Sequence, residues 1–132
     1  MPLSFTVDPS LDIVVVVGTG VVTFEESMQT IRAVAAETAS HQCGSLGDVR
    51  EMDYYPSITE LKTIAFEFVR LRAAFRCGVA FVVSNEKHFG LGSLLSALVD
   101  SAGVRIAVFR EVADAEDWIR ANHPDAERPP TG

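Results

Sequence analysis

The apolar residues change period along the chain, and each change marks an element. Leu3, Phe5 and Val7 alternate with polar residues, the period of a half-buried strand. Asp8-Pro9-Ser10 then reads as a turn. From Leu11 to Val17 the apolar residues run almost unbroken and are mostly β-branched, which predicts a second strand buried on both faces. A turn this short requires the two strands to be antiparallel. The period then becomes helical. Phe24, Met28, Ile31, Val34 and Ala35 fall on one stripe. Thr23-Phe24-Glu25-Glu26 is a capping box, so the first helix is predicted from Phe24 to about Ser40.

Gln42 to Ser45 reads as a loop, followed by a short strand from Leu46 to about Arg50. The second helix starts near Ile58. Ser57-Ile58-Thr59-Glu60 is a further capping box, and Pro56 holds Tyr55 extended so that the helix does not start earlier. Its core stripe is Leu61, Ile64, Ala65, Phe68, Leu71 and Phe75, and Cys77-Gly78 is expected to end it. Val79 to Val83 reads as a central strand, and Ser84 to His88 as a polar break. A third helix carries Leu91, Leu94, Leu95, Leu98 and Ala102 on one face, and Gly103 stops it. Val104 to Phe109 is a last strand. A fourth helix, about Val112 to Ala121, turns Val112, Ala115, Trp118 and Ile119 inward. The order β-β-α-β-α-β-α-β-α predicts an α/β fold whose mixed, mostly parallel sheet has about five strands joined by right-handed crossovers. Residues 1–121 are read as one domain and 122–132 as a loose polar tail.

The charge narrows the choice of partners. A net charge of −7 over 132 residues gives no basic face for nucleic acid or for an anionic membrane. No apolar run approaches the roughly 18 residues needed to cross a bilayer. The first ten residues carry no signal-peptide core, so a cytoplasmic location is expected. On that footing Cys43 and Cys77 are expected as free thiols.

Candidate chemistry is sparse, and neither a metal nor a cofactor is expected. Gly18-Thr19-Gly20 lacks the third glycine of a dinucleotide fingerprint, because Thr23 stands there, and is better read as a bulge or bend. His41, His88 and His123 have no metal-ligand spacing. Polar residues do collect where the parallel strands end and helices begin, which is where such sheets bind ligands. Asp48, Arg50, Ser84, Asn85, Lys87, His88 and Arg110 are therefore the candidates for an anion or ligand site. Asp48, Ser84 and His88 would be the residues of an enzyme, although no nucleophile motif surrounds them. Phe66 projects roughly 160° from the centre of the second helix's apolar stripe. With Val69 and Ala73 it is a candidate interface, such as that of a homodimer. Ordinary exposure and burial under a further element are the alternatives.

The segments LDIVVVVGTGVVTFEE, GDVREMDYYPSITEL, and VAFVVSNEKHFGLGSLLSAL with VRIAVFREVADAEDWI resemble the SpoIIAA-like proteins of the STAS-domain superfamily over roughly residues 10–120. The resemblance implies a β-α superhelix with strands near their sequence order. It also implies a non-catalytic regulatory domain that binds a kinase or an anti-sigma-like protein. In that family a serine or threonine opening the helix after the third strand is phosphorylated, in a turn similar to D-x-S-S-G-L. Ser57 occupies that place, with Thr59 second, and Asp48 matches the acidic residue closing the strand. Pro56 replaces the acidic neighbour, and Ile58-Thr59-Glu60 stands where the glycine would be. Two other functions stay open: a binder of a small hydrophobic ligand or anion using the strand ends and the third helix, with Phe66 and Phe89 near its cleft, and an enzyme.

Overall fold

The computed structural model describes residues 3–40 and 44–122. Within them the chain forms β1 (Leu3–Asp8), β2 (Ile13–Val21), α1 (Phe24–Ser40), β3 (Gly44–Asp53), α2 (Ile58–Arg70), a 3₁₀ turn (Arg72–Phe75), β4 (Val79–Val82), α3 (Glu86–Asp100), β5 (Ile106–Phe109) and α4 (Val112–Asn122). His41, Cys43, His123 and the expected tail from 123 lie outside the described residues. The strands form a five-stranded sheet in the order β1-β2-β3-β4-β5. β1 runs antiparallel to β2, and every later pairing is parallel. The mixed α/β architecture expected from the alternation of periods is therefore present.

The register divides the sheet into two faces. Val14, Ser45 and Val79 pair across β2, β3 and β4 and point toward α1, α2 and α3. Ile13, Leu46, Ala80 and Val82 point the other way and pack against Ala115 and Ile119 of α4. One helix covers the second face, and it lies over β3, β4 and β5. This explains a departure in β2. Ile13 and Val14 are fully buried, as a doubly covered strand requires, but burial fades to 40% exposure at Val17, beyond the reach of α4.

Both capping boxes form. Glu26 N donates to Thr23 Oγ1 at 3.1 Å while Thr23 N donates to Glu26 Oε1 at 3.0 Å. Glu60 N donates to Ser57 Oγ, and Ser57 N donates to Glu60 Oε1, both at 3.1 Å. The glycines after Val17 make a bulge, as expected: the β2–β3 register shifts between Val17 and Thr19, and the strand then continues to Val21.

Several boundaries and one bond differ from the sequence reading, β2 running from Ile13 to Val21 and β5 starting at Ile106 among them. β3 begins at Gly44, not Leu46, because Gly44 and Ser45 pair with Ile13 and Val14, and Ser45 pairs with Val79. Ladder pairing overrides the weak strand preference of these small residues. It also runs on to Asp53, past the expected end near Arg50, because Glu51, Met52 and Asp53 pair with Thr19, Gly20 and Val21 beyond the bulge. The second helix breaks at Leu71, whose backbone leaves the helical region (φ −101°, ψ 17°). The 3₁₀ turn that follows still delivers Ala74 and Phe75 to the core, where the Phe75 ring meets Phe68 edge-on at 5.2 Å. Finally, Cys77 is disulfide-bonded instead of free. The free-thiol expectation came from cellular location, which carries no information on distance. Gly44, the neighbour of Cys43 in sequence, packs so close to Cys77 that a Cβ on Gly44 would stand 3.1 Å from the Cys77 Cβ.

Candidate functional site

The helix face of the sheet holds a partly open cavity of about 160 Å³. Its origin lies in the inward positions of the central strand β3, which are Ser45, Gly47 and Val49. Central strands usually fill such positions with large β-branched residues. Here two of the three are small. The Phe81 ring from β4 leans over Gly47, where a Cβ would stand 3.0 Å from it, but it does not fill the space. Ile31 and Val34 of α1, Leu61 and Ile64 of α2, and Leu91 and Leu95 of α3 form the opposite wall. Half-buried Leu3, Ser27, Met52 and Pro56 also line it, so one side of the wall reaches the surface.

No charged side chain lines the cavity, and nearly all of its polar groups are committed. The Ser27 and Thr30 hydroxyls donate to the carbonyls of Thr23 and Glu26 within their own helix. The Tyr54 hydroxyl donates to Glu60 at 3.2 Å, and burial followed by the Glu60 charge pushes that phenol well above its ordinary range. His88 is buried at the start of α3. Its Nε2 lies 2.9 Å from the Tyr54 carbonyl, which can only accept, so Nε2 carries the hydrogen. Its Nδ1 faces Asn85 Nδ2 at 3.4 Å and accepts from it. Both ring nitrogens are thus engaged, and the ring stacks on that of Tyr55 at 4.2 Å.

The remaining candidates from the sequence stand outside this cavity. Asp48 binds Arg50 in a two-pronged ion pair, at 2.9 and 2.7 Å, and these hydrogen bonds hold its carboxyl below the usual range. Ser84 Oγ donates to the Arg50 carbonyl at 2.8 Å. Asn85 is the cap of α3, accepting from His88 N at 2.8 Å, and its amide also donates to the Tyr55 hydroxyl. Lys87 Nζ sits 4.5 Å from the Tyr55 ring centre. Arg110 lies over Phe89 and pairs with Glu86. Of the strand-end candidates, only His88 reaches the cavity. Phe66 and Phe89 do not line it, whereas Leu91 and Leu95 do. Leu94 and Leu98, expected on the core face of the third helix, are more than a third exposed. The buried stripe of α3 is instead His88, Leu95 and Val99, because Gly92 lets the helix approach Val108 of β5, 2.6 Å from where a Cβ would be.

Asp48, Ser84 and His88 share no hydrogen bond, and each is bonded elsewhere. Ser57 and Thr59 are exposed at the start of α2. Phe66 is 68% exposed, Ala73 is exposed and Val69 is half-buried. Among the described residues no cluster of His, Cys, Asp or Glu is placed to hold a metal ion, and no helix is long and apolar enough to cross a membrane.

Sequence reasoning missed Ser45, Gly47, Tyr54 and Tyr55. A usable signal existed in GSLGDV: small residues recur at alternate positions, 45 and 47, on what proves to be a central strand.

No family model matches this sequence, and no curated protein matches it. Among solved structures, the chain is similar to the crystal structure of an uncharacterized protein of the DUF3478 family, described as having a SpoIIAA-like fold, from Shewanella loihica PV-4. The two share 17% identity, the match covers 89% of this chain and 93% of the other, and the TM-score is 0.63. The sheet order, the covering helices and this match agree that the chain has a SpoIIAA-like fold.

Proposed function

We propose that the protein is a non-catalytic binding domain that takes a small, mostly apolar molecule between its sheet and helices α1–α3. The reading rests on the cavity of about 160 Å³. Interiors pack densely, so an apolar space of this size between a sheet and its helices is a departure that a guest can fill. Apolar cavities of about 150 Å³ stay dry and accept benzene-sized guests. The absence of a charged lining group and the full engagement of His88 favour binding over chemistry. The test is native mass spectrometry of freshly purified protein, followed by thermal unfolding with added toluene. A co-purified small molecule, or a rise in midpoint that grows with toluene concentration, supports the reading. An unliganded protein whose midpoint toluene leaves unchanged overturns it.

A second reading is a regulatory domain that binds a protein partner, such as a kinase or an anti-sigma-like factor, and is switched at Ser57 or Thr59. The exposure of both hydroxyls favours it. A phosphate on Ser57 would bring nearly two negative charges beside Glu60. Phe66, with Val69 and Ala73, would supply the contact face or a homodimer interface. Incubation with cellular kinases and ATP tests the switch. It fails if no phosphopeptide spanning Ser57 forms and Ser57→Asp leaves partner capture unchanged.

A further inference from the structure

Four polar residues are buried among the described ones: Thr38, Ser45, Glu67 and His88. Three have clear side-chain partners. Thr38 Oγ1 donates to the Ala35 carbonyl at 3.1 Å. Glu67 accepts from Arg70 at 2.9 Å and from Arg32 at 3.4 Å. His88 is bonded through both ring nitrogens. Ser45 differs. It is 5% exposed, its amide donates to the Gly78 carbonyl at 3.2 Å, and no described group hydrogen-bonds its hydroxyl. Buried hydroxyls are almost always paired, because an unpaired one loses its bonds to water without replacement. The register turns Ser45 to the same face as Val14 and Val79, and its side chain lines the cavity.

We infer that the occupant of the cavity is a neutral amphipathic molecule whose single polar group, an alcohol or phenol hydroxyl, hydrogen-bonds Ser45 Oγ. The inference rests on the cavity-binding reading and specifies its ligand. The apolar part of the guest lies against Ile31, Leu61, Ile64 and Leu95, and its oxygen meets Ser45 on the central strand. A serine hydroxyl both donates and accepts, so it satisfies a guest hydroxyl in either direction. A carboxylate or ammonium is disfavoured, because no charged side chain lines the cavity to compensate its burial. The hydrogens of the other wall hydroxyls are already donated within the protein, which leaves Ser45 as the lining hydroxyl free to both donate and accept.

Phenol and toluene differ by this one group and serve as the probes. Amide chemical shifts of the full chain are followed by NMR as each is added to the wild type and to Ser45→Ala. Toluene reports on the cavity and on whether the variant keeps it. The expected result is that both guests bind the wild type. In Ser45→Ala the ratio of phenol to toluene affinity then falls about three- to tenfold, the worth of one hydrogen bond, while toluene binding is retained. A ratio unchanged by the substitution overturns the Ser45 contact and leaves cavity binding standing. Toluene binding without any phenol binding to the wild type does the same. Failure of both probes to bind the wild type overturns the contact and the cavity reading together.

Discussion

The two faces of the sheet are built on different terms. One helix, α4, covers its face, and that face is tight: Ala80, Val82, Ala115 and Ile119 are completely buried. Three helices cover the other face, and that face holds the cavity. More cover has not produced denser packing. The difference lies in the volumes of the side chains on the central strand. Toward α4, β3 presents Leu46, whereas toward α1–α3 it presents Ser45 and Gly47. A face can be covered by helices and still be underfilled, because cover depends on the helices and filling depends on the side-chain volumes of the strand beneath them.

Substitutions on the two faces test this contrast. The largest effect belongs to Ile119→Ala. Its side chain is entirely buried on the tight face, and removal is expected to lower unfolding free energy by about 2–5 kcal/mol, measured by urea titration. A smaller loss would mean that α4 collapses into the gap and that the face is looser than it looks. Next comes a matched pair that adds volume on each side. Ala80→Val, toward α4, overpacks and is expected to destabilise by about 1–3 kcal/mol. Ser45→Val, toward the cavity, adds similar bulk, removes an unpaired hydroxyl and is expected to be neutral or stabilising. Equal losses in both variants would erase the distinction between the faces.

The smallest effect concerns the tie that holds the cavity's walls. Glu67 on α2 accepts from Arg70 and from Arg32 on α1, and the hydrogen bonds from Arg70, then those from Arg32, hold its carboxyl below the ordinary glutamate range. Both arginines are about half exposed, so Glu67→Gln is expected to cost about 1 kcal/mol at neutral pH. Because the folded state favours the ionised form, this advantage is present above the ordinary glutamate pKa. It is lost as the pH falls through the lowered value, so the wild type and the variant should converge in acid, below the ordinary glutamate range. A gap that persists at low pH would assign the effect to packing.

Much of the frame was legible in the sequence because it depends on local rules. T-F-E-E and S-I-T-E announced two helix starts, and both boxes close as read. Gly18-Thr19-Gly20 announced a bulge where the register shifts. The cavity was not legible. Periodicity reports which way a residue points, whereas a void depends on whether volumes from eight separate elements add up. Ser45 was doubly hidden, since its small neighbours made it look like loop until pairing with Val14 and Val79 drew it into the sheet. His88 was singled out for its chemistry, but besides nearby Asn85 its partners are Tyr54 and Tyr55, more than thirty residues away. The Leu94 and Leu98 error arose because the approach allowed by Gly92 rotates α3 relative to its most leucine-rich face.

The strand order has a consequence for how the chain comes together. Each strand pairs with the one before it in sequence, and none is inserted between two already joined. During synthesis the sheet can therefore grow outward from the β1–β2 hairpin, one β-α unit at a time, with short loops to close at each addition. Every residue that walls the cavity lies at or before Leu95. All the walls of the pocket have thus left the ribosome before β5 and α4, whose arrival clamps an enclosure already made.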